Sequence, residues 1–127
     1  MQDKITKGAK MNKKIIVTGG TGYIGSHTTV ALQNAGFSVV IMDNLSNSTM
    51  TSIDGIEQIT GIRPEFIKVD CADVVALKTA FSAHSDAIGV IHFAALKAVG
   101  ESVAYPLKYY ENNIAGTLQL LNIMKKY

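Results

Sequence analysis

Ile15-Ile16-Val17-Thr18-Gly19-Gly20-Thr21-Gly22-Tyr23-Ile24-Gly25 passes from an apolar strand through three spaced glycines into a helix, the pattern by which a protein grips a dinucleotide pyrophosphate. Each glycine answers a different demand: Gly19 ends the strand where the backbone turns tightly, Gly22 lets the main chain approach a phosphate, and Gly25 lets the helix pack closely on the sheet. The helix that begins near Tyr23 and Ile24 directs its unpaired N–H groups and positive dipole end at a pyrophosphate, so the loop needs no basic side chain and has none. Gly19, Gly22, Tyr23, Ile24 and Gly25 are the candidate pyrophosphate contacts.

Glycine-rich turns also join strands to helices for packing alone, so the context decides. A helix follows, with Ile24, Thr28, Ala31, Leu32 and Ala35 expected on one buried stripe and Gly36 closing it. A second apolar strand, Ser38 to Met42, then delivers Asp43. An acidic residue about 20 positions past a glycine loop is placed to bond the ribose hydroxyls of NAD. Its carboxylate would repel a 2′-phosphate, and Asp43-Asn44-Leu45-Ser46-Asn47-Ser48 holds no Arg or Lys to neutralise one, so NAD is expected rather than NADP.

Strands and helices keep alternating: a helix around 51–60, a strand at 65–69, a helix around 73–82 and a strand at 87–93. The strands are continuous apolar runs, as expected where helices cover both faces of a parallel sheet. The last element is read as one long helix over 102–127 with Pro106 in its first turn. Leu107, Tyr110, Ile114, Leu118, Leu121 and Met124 form one stripe, and Leu120, Ile123 and Tyr127 lie off it. One face would cover the sheet; the other would meet a partner subunit or lie buried in a larger domain.

Bulk properties exclude other classes. The chain has 127 residues, 47% hydrophobic and 17% charged, which suits a globular interior. Its formal net charge of +2 comes from residues 1–14: Lys4, Lys7, Lys10, Lys13 and Lys14 supply five of the 12 basic residues, and the 113 residues after Lys14 carry about −2. A basic nucleic-acid-binding face is not expected. Residues 1–12 are read as a disordered basic leader and 13–127 as the folded domain. No segment has membrane-spanning length, and one cysteine, Cys71, permits no internal disulfide, so the expected location is cytoplasmic. His27, His84, His92 and Cys71 lack metal-ligand spacing and are read as surface or satisfied side chains.

Beyond these general signals, Val17 to His27, Asp43 to Ser48, Ile91-His92-Phe93-Ala94-Ala95-Leu96-Lys97-Ala98-Val99-Gly100-Glu101-Ser102, and Tyr109-Tyr110-Glu111-Asn112-Asn113 with Gly116-Thr117-Leu118 together resemble the UDP-glucose 4-epimerase family of the extended short-chain dehydrogenase/reductases. The resemblance covers 13–127 but only the front part of such an enzyme. It implies an α/β fold, a Rossmann-type doubly wound parallel sheet that is partial, with strand order 3-2-1-4 and an end after the helix that follows the fourth strand. It sets Asp70 and the Cys71 N–H at the adenine edge, and Phe93, Ala94, Ala95 and Leu96 beside the cofactor. Lys97, which read alone is a solvated lysine, would reach the nicotinamide ribose, and Asn112 would lie against the cofactor.

The family interconverts UDP-galactose and UDP-glucose through a transient 4-keto sugar, in galactose metabolism. Hydride moves from C4 to bound NAD and returns to the other face. A tyrosine with a lysine four residues later acts on the proton. That spacing is absent here: Tyr23, Tyr105, Tyr109 and Tyr110 are followed four places on by His27, Tyr109, Asn113 and Ile114. No catalytic residue is therefore assigned, and the chain alone is expected to be inactive, binding UDP-hexose only within a full-length member and pairing as a homodimer through 102–127. Two other readings stay open: a non-catalytic NAD-binding module, and a related nucleotide-sugar dehydratase.

Overall fold

A computed structural model describes residues 13–46, 48–95 and 99–127. The leader at 1–12, Asn47, and the segment Leu96, Lys97 and Ala98 lie outside the described residues. The chain divides into two compact units.

The first unit, which runs to Lys68 and includes Asp86–Phe93, contains the sheet. Its strands are β1 (Lys14–Thr18), β2 (Ser38–Asp43), β3 (Glu65–Lys68) and β4 (Ala87–His92), in the order β3-β2-β1-β4. Every pairing is parallel, with Val17 opposite Ile41 and Ile91. This is the strand order that the resemblance implies; the parallel pairing itself follows from the alternation, because each parallel neighbour needs a crossover, and apolar runs such as Val39 to Met42 suit strands buried on both sides. Ile15, Val17, Val39 and Ile41 point to one face, where they cluster with Ile53 and Ile56 of the helix α2 (Thr51–Thr60). Ile16, Val40 and Met42, of the opposite parity, are buried as well. Gly61, with φ of 77°, closes α2 in the left-handed conformation.

Helix α1 (Tyr23–Asn34) corrects one expectation. Its buried line is Gly25, Thr29 and Gln33, whereas Ile24 is 54% exposed and Ala31 and Ala35 are also exposed. Of the expected stripe only Leu32 packs against the core cluster, joined by Val30. Counting apolar residues missed the inward line because a glycine and two polar residues form it. Thr29 Oγ1 donates to the Gly25 carbonyl at 2.9 Å, which lets Thr29 be buried; Gln33 Oε1 accepts from Thr60 Oγ1 at 2.8 Å, while Gln33 Nε2 is buried without a hydrogen-bond partner among the described residues. Gly36 follows the helix with φ of 96°, as the sequence implied.

The second unit, 69–85 with 94–127, is helical. It holds α3 (Val74–Ala83), α4 (Val99–Ala104), α5 (Pro106–Tyr110), a π-helical turn over Glu111–Ala115, and α6 (Gly116–Lys126). Asp73 caps α3 by accepting from the Ala76 N–H at 3.1 Å. The single helix expected over 102–127 is corrected here. Ser102 belongs to α4, the chain turns at Tyr105 (φ −132°, ψ 65°), and Pro106 starts the next helix, where its missing N–H costs nothing. Lys108 and Glu101 bridge that turn as an ion pair. The two apolar stripes also have unequal fates: Leu120 and Ile123 are buried, while Leu107, Tyr110, Ile114 and Leu118 are exposed. Neither α5 nor the π turn buries a residue.

Candidate functional site

The glycine loop leaves β1 at its C-terminal end. Gly19 adopts φ of 71°, which an L side chain resists, while its N–H donates to the Met42 carbonyl at 2.8 Å and ties the turn to β2. Gly25 is excluded from carrying a side chain for another reason. A Cβ there would lie 2.3 Å from the Gly19 oxygen and 2.8 Å from the Gly20 Cα, so the helix is seated on the loop itself. Gly22 is under milder constraint, its Cβ position lying 3.3 Å from the Gly19 oxygen. Sequence reasoning assigned nothing to Gly20, yet a Cβ there would meet Ile41 at 2.7 Å. The amides at Tyr23, Ile24 and Gly25 open α1 with no preceding helical turn to accept from them, and the first bond of the helix is Ser26 N–H to the Gly22 carbonyl at 2.9 Å. Tyr23 is exposed and its ring lies 4.6 Å from that of His27.

Asp43 ends β2 and is buried, at 9% exposure. Thr21 holds it from the glycine loop: the Thr21 hydroxyl donates to Asp43 Oδ2 at 2.6 Å and the Thr21 N–H to the same oxygen at 3.3 Å. Leu45 N–H donates to the other oxygen, Oδ1, at 2.9 Å. Leu45 has φ of 59°, a left-handed value for a residue with a branched side chain, and the bond to Asp43 together with Ser46 N–H to Asn44 Oδ1 at 3.0 Å maintains it. Ser48 Oγ is hydrogen bonded to Thr21 Oγ1, and Ser52 Oγ donates to the Thr21 carbonyl at 2.7 Å. Thr21 and Ser52 were missed from the sequence. A threonine inside a glycine run gives no signal until its partner 22 positions away is located.

The end of β4 completes the cluster in this unit. His92 Nδ1 shares a hydrogen bond with the hydroxyl of Thr18, a fully buried residue, and Phe93 N–H donates to the Thr18 carbonyl at 2.9 Å. Burial pushes the imidazole of His92 below its ordinary pKa, so it is neutral at pH 7. This is the satisfied histidine that the sequence suggested. The carboxyl ends of β1, β2 and β4 thus gather Gly19, Thr21, Asp43 to Ser46, Ser48, His92 and Phe93 at the end where parallel sheets take ligands.

The remaining candidates belong to the second unit. Asp70 is exposed and closes its own turn, with Oδ1 accepting from the Ala72 N–H at 2.9 Å and its carbonyl from the Asp73 N–H at 2.9 Å. Cys71 is half-buried and forms no disulfide. Ala94 is half-buried and Ala95 exposed. Asn112 lies in the π turn, its Nδ2 donating to Asn113 Oδ1 at 2.8 Å. Asn47, Leu96 and Lys97 fall outside the described residues. Among the described residues no group of three or more His, Cys, Asp or Glu side chains gathers as a metal site, and no helix is long and apolar enough to cross a membrane.

The order of the parallel strands, the glycine loop and the strand-end aspartate define a Rossmann-type α/β protein. A family model described as GDP-mannose 4,6 dehydratase matches residues 16–127, and the chain belongs to this family. Within it, the chain is 55% identical over 117 residues to a UDP-glucose 4-epimerase of Dictyostelium discoideum, covering 92% of this chain and 34% of that protein. It is 52% identical over 113 residues to the UDP-glucose 4-epimerase of Bacillus subtilis, covering 89% of this chain and 33% of that one. A crystal structure of UDP-glucose 4-epimerase from Stenotrophomonas maltophila, with bound NAD and formylated UDP-arabinopyranose, superposes with a TM-score of 0.85 at 44% identity, covering 89% of this chain and 33% of that one. The chain spans about a third of the length of these relatives.

Proposed function

We propose that this chain is the NAD-binding, amino-terminal part of a UDP-glucose 4-epimerase. The observation that carries the reading is the pairing of the Gly19 to Gly25 loop with Asp43, both at the carboxyl ends of adjacent parallel strands. The residues fit the cofactor. Gly25 leaves no room for a side chain between helix and loop, the α1 amides supply donors for a pyrophosphate, and Asp43 Oδ1 supplies an acceptor for a ribose hydroxyl. Solved relatives with NAD, and one with UDP as well, support the same assignment.

NAD would supply reversible hydride acceptance at the sugar. This chain's own part is to bind and orient: the loop and helix end hold the pyrophosphate, Asp43 holds the adenosine ribose and disfavours a 2′-phosphate, and Asp70 with the Cys71 N–H addresses the adenine edge. The 127 residues contain no Tyr-x-x-x-Lys spacing, so they provide no proton-transfer pair. Epimerisation of a UDP-hexose belongs, on this reading, to a protein that carries further residues. The exposed face of α5, the π turn and α6, with Leu107, Tyr110, Ile114 and Leu118, is proposed to meet a second copy.

Incubation with UDP-galactose and NAD, followed by separation of the UDP-hexoses, tests the catalytic half of the reading. The expected result is no UDP-glucose above a no-protein control; steady formation of UDP-glucose would overturn it.

A further inference from the structure

The hydrogen bonds around Asp43 have a direction that follows from chemistry. An ionised carboxylate only accepts, so the Thr21 hydroxyl donates its single proton to Oδ2 and must accept from Ser48 Oγ. With the Thr21 N–H also on Oδ2, two donors occupy that oxygen. Oδ1 receives the Leu45 N–H and, among the described residues, keeps one lone-pair direction for a further donor. Thr21 is itself held, buried at 2% exposure, with its carbonyl bonded by Ser52.

We infer that Thr21 is a positioning residue for cofactor recognition: by occupying Asp43 Oδ2 through its hydroxyl and amide, it leaves Oδ1 to accept one ribose hydroxyl. The inference rests on the NAD reading above and deepens it. A carboxylate without this hold could rotate about χ2 and share its two oxygens among loop amides and water, and the contact to the ribose would weaken. Ser48 relays to Asp43 through Thr21, so the loop after β2 and the glycine loop jointly set the carboxylate.

The test compares NAD with 2′-deoxy-NAD, modified on the adenosine ribose, by calorimetric titration of the intact chain and of Thr21→Val and Thr21→Ser. The wild-type chain is expected to prefer NAD by about tenfold, the value of one hydrogen bond to a charged group. Thr21→Val keeps the side-chain shape and the backbone donor but lacks the hydroxyl; its preference should fall to about twofold, while its affinity for 2′-deoxy-NAD stays near wild type. Thr21→Ser should restore the preference. A Thr21→Val variant that loses affinity equally for both ligands shows Thr21 to be merely structural and overturns the proposal. NAD binding by the wild type without preference over the deoxy analogue overturns the role of Asp43 and the proposal with it, and absence of any binding overturns the NAD reading itself. If Thr21→Val does not fold, Ser48→Ala removes the donor to Thr21; a preference lowered two- to threefold, roughly, supports the relay, and an unchanged preference contradicts it.

Discussion

Gly25 shows how tightly single residues constrain this loop. A methyl group there would sit 2.3 Å from a backbone oxygen, and backbone cannot rotate away as a side chain can. Gly25→Ala is therefore expected to lower the unfolding free energy by about 2–4 kcal/mol, read as a lower urea midpoint, whereas Gly22→Ala, at 3.3 Å, should cost less than half as much. Equal costs would mean that the helix does not rest on the loop. His92 gives a pH dependence. Its folded pKa lies below the ordinary value of 6.5, so below pH 6.5 the unfolded chain takes up a proton that the folded chain resists. Stability is fully present above that pH and is lost as pH falls toward the folded pKa; His92→Gln should flatten this part of a denaturation-versus-pH series. Gly19, Gly25 and Asp43 were legible in the sequence because each belongs to a local pattern of fixed spacing. Thr21 was not, because its role exists only once β1 and β2 lie side by side.

Among the elements, the four strands were read to within a residue at their ends; burial on both faces explains the apolar runs of β1 and β2, whereas the edge strands β3 and β4 contain no fully buried residue. Helix faces were harder to read. In α1 the inward line of Gly25, Thr29 and Gln33 is the less apolar one, chosen by close approach to the loop rather than by hydrophobicity. Beyond Gly100 the periodicity was right but the continuity was not: Tyr105 and Pro106 break the helix, and the π turn at Glu111–Ala115 widens it. Two stripes on one helix look equivalent in sequence; burial separates them. Ile123→Ala is expected to destabilise by about 2–4 kcal/mol and Leu118→Ala by less than about 0.5 kcal/mol, measured by chemical denaturation. The reverse order would place the wrong face inward.

Over the whole molecule, the proposed self-association would use two surfaces. One is the apolar face running through Leu107, Tyr110, Ile114 and Leu118. The other is β4, which among the described strands pairs only with β1 and so stands at an edge of the sheet. Sedimentation equilibrium is expected to show a weight-average mass that rises with concentration, and Leu118→Glu should reduce that rise. A monomer at every concentration would count against both surfaces. The chain spans about a third of the length of the relatives it matches, and its 127 residues contain no Tyr-x-x-x-Lys pair.

Calorimetric titration with NAD and with NADP tests whether Gly19 to Gly25 and Asp43 form an NAD site. The expected result is one NAD bound per chain, NADP weaker by about tenfold or more, and loss of that discrimination in Asp43→Ala. Failure to bind NAD, or equal affinity for NAD and NADP in the wild-type chain, would contradict it.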